Sequence, residues 1–399
     1  MKQDQEKAFA VAKMKVDLFP DDIAAYQLLS QLQNARDDKD GMIASFQKIL
    51  ELDPEQQERL QSIGVLYEAK GDFANALSYY QQYAERFPKQ PAALRSLAQL
   101  HHLRGEHAES RALYEKALIL TPTDVPSMVG LGLVERDVGE FETARKQLDD
   151  AIAAAGTAEE RHRALVALAN YSVFRGRLGE ALENRERMYA EGSRFQAPVQ
   201  HAVQRLLGLG TYVRAGRTAQ ARAAFERVSA DLHPPFDVFA ALGEMELYVA
   251  LEQPDEAERA LTALEQAIQA TGYKFLNSSV AFARGRIAEA RGQWDAAITA
   301  YEETLKLAPT DLSTHSDIAR SYRKLGRADQ AVDHGQRPLV AVPFDPRGNY
   351  ELGLAYVDAG NREKALEHLR RAVEVWIDAD PAYKVAAEAK AKLKEVEAK

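Results

Sequence analysis

The sequence predicts an all-α solenoid of antiparallel helix pairs. Three observations carry that expectation: a 34-residue period in glycine, the same period in proline, and apolar residues recurring every three or four positions between them. Gly71, Gly105 and Gly139 are evenly spaced, as are Gly292, Gly326 and Gly360. Pro20, Pro54, Pro88 and Pro122 keep the same step, as do Pro309 and Pro343. Five residues after each of those glycines stands a small residue, from Ala76 and Ser110 to Ala331 and Ala365. Gly176 with Ala181 and Gly216 with Ala221 carry the series through the middle.

Each mark has a mechanical reason. The glycine ends a first helix, where the chain needs positive φ. The small residue lies where two helices cross closely. The proline stops the second helix and can open the next, because a helix start tolerates its missing N–H. Between these marks, Ile63, Leu66 and Tyr67 form one apolar stripe, and Phe73, Leu77 and Tyr80 the other.

This pattern resembles the tetratricopeptide repeat family, most closely at residues 57–90, where Leu60, Ile63, Gly64, Tyr67, Gly71, Ala76, Tyr80 and Pro88 fall at the family's positions. The resemblance implies a right-handed superhelical solenoid. About ten units start near Ile23, Gln57, Pro91, Val125, His162, Ala202, Val238, Ser278, Leu312 and Pro346. The expected organisation is a partial repeat helix over 1–22, regular repeats 1–4 over 23–161, and longer, divergent repeats 5–7 over 162–277. Regular repeats 8–10 follow over 278–379, with a capping helix over 380–399. Repeat 7 has no turn glycine and reads LEQPDEAERA. In repeat 9, Gly335 and Pro338 stand inside a helix, so a kink or break is expected at Arg337, and with it one of the weakest repeats.

Composition bounds the chemistry. The 399 residues carry a formal charge of −9 and no cysteine. Disulfides, thiolate metal sites and thiol nucleophiles are thereby excluded. The acidic balance argues against nucleic acid as a partner, and a helical-repeat RNA reader needs a basic inner wall. No apolar run reaches the roughly 18 residues of a membrane span. The compartment is open: cytoplasmic by default, or periplasmic if an upstream signal or anchor was removed. Met1 opens into what reads as the second half of a repeat, as in a segment of a longer chain.

No catalytic motif is present, so no enzyme, cofactor or metal is expected. The stretch Asp37–Gly41 looks like a calcium loop, but Arg36 and Gln47 would stand at ligand positions, so an acidic helix–helix turn is expected. His101 and His102 are adjacent and diverge by about 100° on a helix, so they cannot share a metal.

In the family, positions 2, 5, 9 and 12 of each unit tend to face the concave groove. Carried onto this sequence, they give an amide-rich N-terminal zone of Gln27, Gln31, Asn34, Gln61, Gln99, Arg95 and His102. Such amides suit a peptide backbone, or simply solvent. A more apolar middle follows: Val129, Leu133, Val166, Phe174 and Leu206, with Asn170 among them. These residues either receive a partner or, if the longer helices turn them, serve as core. Phe174 with Val166 would anchor a bound segment, so Phe174→Asp is expected to abolish binding without unfolding. The C-terminal zone carries Arg286, Arg320, Arg323 and Arg347, either an anion site or a set neutralised by neighbours such as Asp317 and Glu289. The expected function is a non-catalytic protein-interaction scaffold holding a protein or peptide, without membrane insertion and of unknown oligomeric state. The alternative is the sensory arm of a larger signalling polypeptide, a bacterial kinase or transcription regulator.

Overall fold

A computed structural model of the chain describes residues 2–398, and every regular element among them is helical. The helix Lys2–Leu18 comes first. Ten repeats then succeed it, and the first and second helix of each are named helix A and helix B. Four pairs open the array: Ile23–Ala35 with Lys39–Leu52, Gln57–Ala69 with Phe73–Arg86, Pro91–Leu103 with His107–Leu120, and Val125–Asp137 with Phe141–Ala154. The middle holds Ala158–Phe174 with Leu178–Gly192, then Pro198–Leu207 and Leu209–Arg214 with Thr218–Ser229, then Asp237–Ala250 with Pro254–Thr271. The last three pairs are Asn277–Ala290 with Trp294–Leu307, Thr314–Lys324 with Ala328–Gln336 and Pro338–Ala341, and Pro346–Asp358 with Arg362–Val375. Lys384–Glu397 closes the array.

The repeat turn recurs at the backbone level. Positive φ occurs at Gly71, Gly105, Gly139, Gly176, Gly216, Gly292, Gly326 and Gly360, and also at Asp37 and Glu252, which take the glycine's place in repeats 1 and 7. At each turn the following N–H bonds back five residues, as Asp72 does to the Tyr67 carbonyl (2.9 Å) and Asn361 to that of Tyr356 (2.9 Å). That bond ends helix A in a Schellman cap and fixes where helix B starts. The small residue of helix B is fully buried at Ala76, Ser110, Ala144, Ala181, Ala221, Ala297, Ala331 and Ala365. Asp38, at the calcium-like stretch, is the N-cap of its helix and accepts from Gly41 N (2.9 Å). His101 reaches Glu106 while His102 reaches Asp137, so the two histidines do diverge.

The longer units differ in identifiable ways. Helix A of repeat 5 has 17 residues and starts at Ala158, ahead of the expected His162. Helix B of repeat 7 has 18 residues. In repeat 6, helix A starts at Pro198 and breaks at Gly208. Helix B of repeat 9 breaks at Arg337, before Pro338.

The superhelix comes round onto itself. The turns of repeats 2 to 5 meet the chain that follows repeats 8 to 10: Gly71 faces Pro309, Gly105 faces Val340, Gly139 faces Phe344, and Gly176 faces Ala379 and Tyr383. Hydrogen bonds stitch this seam. Phe344 N donates to the Asp137 carbonyl (3.2 Å), Asp380 N to that of Gly176 (2.9 Å), and Arg175 Nε to that of Val375 (2.9 Å). One apolar cluster spans it, joining Phe141, Phe174 and Phe344 to Tyr350, Trp376 and Tyr383. Arg175 is buried there, with its guanidinium 4.4 Å from the centre of the Phe141 ring.

Candidate functional site

Helices A line the inner face, and the seam turns part of that face into a cavity of about 590 Å³. One wall comes from helices A of repeats 2 to 5, with Gln61, Gln99, His102 and Leu133 among its residues. Ala341 and Val342, from the broken end of repeat 9, bound it on the other side. The amide zone and the start of the apolar zone therefore share one half-open groove.

Much of its polar lining is engaged internally. Gln61 Nε2 donates to Ser96 Oγ (3.1 Å), and Arg95 donates to both carboxylate oxygens of Asp124 (2.8 Å each). Asp137 is buried, which alone would raise its pKa. Arg136 (2.5 Å) and His102 (2.7 Å) outweigh burial and hold the carboxyl below its ordinary value. Gln99 differs: it is exposed and has no hydrogen-bond partner among the described residues.

The apolar middle divides. Leu133 and Val166 are half-buried, and Asn170 is exposed without a hydrogen-bond partner among the described residues, so these three present surface. Val129 is 9% exposed and packs in the core of repeats 4 and 5, although its edge lines the cavity. Leu206 is 2% exposed and belongs to the core of repeats 6 and 7, not to the groove wall. Phe174 lies in the seam, half-buried under Arg136 (4.7 Å to its ring centre) and near Phe141 (6.5 Å between ring centres). The expectation of a free anchor at Phe174 is thus corrected, because its surface is spent on closing the superhelix.

The C-terminal arginines form a charge ladder. Asp317 is buried and receives Arg320, Arg347 and, at 3.6 Å, Arg286. Arg320 also binds Glu289 and Glu351 (3.3 Å), while Arg323 reaches Glu351 (3.8 Å) and Asp358 (3.2 Å). Four acids therefore answer four arginines across repeats 8, 9 and 10. Burial would raise the Glu289 and Asp317 pKa values, but the facing arginines push both below the ordinary carboxylate range. A free anion site at Arg320 and Arg323 is excluded by this pairing. Neighbours three or four apart within one helix, visible in the sequence, are only part of the pairing; the rest links different helices. Those links are legible as separations of 30 or 31 residues: Asp317 to Arg347, Glu289 to Arg320, and Arg320 to Glu351.

A second concavity of about 610 Å³ opens between helix B of repeat 5 and repeat 6, lined by Glu183, Arg187, Tyr212, Arg217 and Arg227. It sits where the break at Gly208 interrupts regular stacking.

Fold and site together define a helical-repeat solenoid with a half-open concavity on its inner face. The tetratricopeptide repeat profile matches residues 63–125, 242–311, 282–346 and 316–384, and a second profile of the same description matches 23–56. The chain belongs to the tetratricopeptide repeat family, and such an array is a protein-interaction scaffold. The small glutamine-rich tetratricopeptide repeat-containing protein 2 of Saccharomyces cerevisiae is 29% identical over 92 residues, which cover 23% of this chain and 27% of that protein. The match therefore spans about a quarter of the relative's length. The crystal structure of yeast Tom70 aligns over 100% of this chain and 93% of its own, with 13% identity and a TM-score of 0.42. Among the described residues, no helix is long and apolar enough to cross a membrane.

Proposed function

We propose that this chain is a non-catalytic scaffold that holds a peptide or helical segment of a protein partner against its inner face. The observation that carries this reading is the cavity of about 590 Å³ between the helices A of repeats 2 to 5 and the broken end of repeat 9. Gln99 offers an amide there with no internal partner, and amides both donate to and accept from a peptide backbone. Leu133 and Val166 supply apolar contact, and because both are already half-buried each adds only part of the roughly 1.5–3 kcal/mol of a full burial. Asn170 adds a second free amide on the same face.

The test is site-specific crosslinking in the native lysate. A photo-crosslinking residue in place of Gln99 should capture a defined partner, and one in place of Gln81, exposed on helix B of repeat 2, should not. Adding Leu133→Asp should remove the capture at 99. Equal capture from both positions, or capture indifferent to Leu133→Asp, would overturn the inner-face reading.

A further inference from the structure

At other junctions, ion pairs tie helix B of one repeat to the repeat that follows. Arg145 of repeat 4 reaches Glu180 of repeat 5, and Asp295 of repeat 8 reaches Arg327 of repeat 9 (2.9 Å). Counted from the turn glycines, both links are missing where repeat 5 meets repeat 6. Leu182 and Gln220 stand at the positions of Arg145 and Glu180, and Gly179 and Arg217 at those of Asp295 and Arg327. Here helix B of repeat 5 and helix B of repeat 6 border the concavity of about 610 Å³. Its floor is apolar, made by Leu182, the half-buried Tyr212 and Ala224, and the exposed Ala223.

The two walls differ in charge. Arg217 and Arg227 rise from the repeat 6 wall, both exposed, and neither side chain has a hydrogen bond or ion pair among the described residues. Glu183 rises from the repeat 5 wall in the same condition. Beside it, Glu186 accepts from the Tyr212 hydroxyl (2.7 Å) and lies 3.6 Å from Arg205. Arg187, on the same wall, donates to Asn184 Oδ1 (2.9 Å). Among the described residues no ion pair joins one wall to the other. Charges of opposite sign thus flank an apolar floor and are left for something outside the chain to answer.

We infer that this cleft docks an amphipathic helix of a partner protein. Its buried stripe is small and apolar, its flank toward repeat 6 is acidic, and its flank toward repeat 5 is basic. The cleft follows helix B of repeat 6 from Arg217 to Arg227, about 15 Å, which matches nearly three helical turns. The exposed Ala223 lets a third helix approach closely, by the ridge-and-groove packing that holds the array itself. Among the described residues no sheet edge is present for an extended chain to pair with. Walls of one sign would suit a nucleic acid or an anionic surface, whereas walls of opposite sign match a helix with two different flanks. The partner's charges complete the links that Leu182, Gln220 and Gly179 omit. The cleft uses helices B, so the inference stands independently of the inner-face reading.

The experiment is fluorescence anisotropy with the full chain and three labelled designed helical peptides that share one alanine and leucine stripe. The first carries glutamates on one flank and lysines on the other, the second glutamates on both flanks, the third lysines on both. The mixed peptide should bind the parent most tightly, by roughly threefold or more over either single-sign peptide. The double variant Arg217→Glu with Arg227→Glu makes both walls acidic, so preference should pass to the lysine peptide. Both arginines are exposed and unpaired, so the melting temperature should hold. Ala223→Trp fills the floor and should abolish binding of the mixed peptide, while the crosslink from position 99 persists. No binding of the mixed peptide, an unchanged preference in the double variant, or binding that survives Ala223→Trp would each overturn the proposal. Sedimentation showing a dimer of the parent that Ala223→Trp dissociates would overturn it in favour of a second copy of this chain.

Discussion

Trp376 donates its indole N–H to the carbonyl of Phe174, 3.2 Å away and 202 residues earlier in the chain. In an open solenoid each repeat touches mainly its neighbours, so a contact this distant in sequence marks a superhelix that has closed on itself. Trp376 is 1% exposed and stacks edge-on against Tyr383 and Tyr350. Trp376→Ala should cost about 3–5 kcal/mol and enlarge the radius of gyration measured by small-angle X-ray scattering. Phe174→Asp should act in the same direction, lowering the melting temperature by placing a charge in the seam. A Trp376→Ala protein as compact as the parent would show that stacking alone sets the shape.

The glycines separate turn geometry from seam contact. Gly105 has φ +76°, and a Cβ there would stand 2.2 Å from the Val340 carbonyl oxygen. Gly360 has nearly the same φ, +74°, with nothing within 4 Å. Gly360→Ala should cost only the left-handed penalty, roughly 1–2 kcal/mol. Gly105→Ala adds a backbone collision, so its urea midpoint should fall clearly further. Equal midpoints would mean that the seam opens at no cost.

The charge ladder makes Arg320 structural. Removing it leaves Glu289 and Glu351 facing each other across repeats 8 to 10 with weaker compensation, and breaking a buried pair in this way costs about 3–5 kcal/mol. The acid limb shows the sign. The depressed pKa values of Glu289 and Asp317 mean that their contribution is present above the unfolded carboxylate values and lost as the pH falls through the folded ones. Arg320→Ala should therefore lower the urea midpoint at pH 7 and move the onset of acid unfolding to higher pH.

Local rules made the pairs, turns and caps legible, because the glycine period, the buried alanines and the aspartate caps each act within a few residues. The break at Arg337 was legible for the same reason: proline denies a hydrogen bond wherever it stands. The seam was not, since contacts such as Arg175 with Val375 depend on the accumulated rotation of many repeats, which no local spacing encodes. The same gap misassigned the site. Phe174 has the side chain and register of a groove anchor, and only closure gives it another use.

A histidine pair in repeat 9 sets a second pH window. His315 is 9% exposed and its Nδ1 lies 3.1 Å from that of His334. Burial, then His334 and Arg337, push the His315 pKa down to about 4, against the weaker pull of Asp311 and Asp333, and His334 is lowered too. The unfolded chain protonates near pH 6.5, so unfolding takes up a proton between the two values. Stability is complete above 6.5 and declines toward pH 4, by about 3 kcal/mol for His315 alone. Urea midpoints at pH 7 and pH 5 should differ in the parent and differ less in His315→Gln. An unchanged pH dependence in the variant would place the titrating group elsewhere.

The solenoid should open first at repeat 6 and not at the proline break of repeat 9. The proline break in repeat 9 looks weak in sequence, yet Pro338 and Ala341 are buried and Val340 lies against the Gly105 turn, so the seam supports it. Repeat 6 lacks such support. Its helix A is split at Gly208, and the junction with repeat 5 leaves Arg185 Nε, His201 Nδ1 and Gln204 Oε1 buried without hydrogen bonds. Buried unsatisfied polar atoms cost about 1–3 kcal/mol each, and opening the junction returns them to water. A cleft of about 610 Å³ already separates helix B of repeat 5 from repeat 6. Hydrogen exchange at neutral pH should therefore be fastest among internal helices over residues 198–214, and slower over 338–341. Trp376→Ala should reverse that order by freeing repeat 9 from the seam while leaving repeat 6 as it was. If residues 338–341 exchange fastest in the parent chain, proline strain outweighs the seam, and closure contributes less than the hydrogen bonds across it imply.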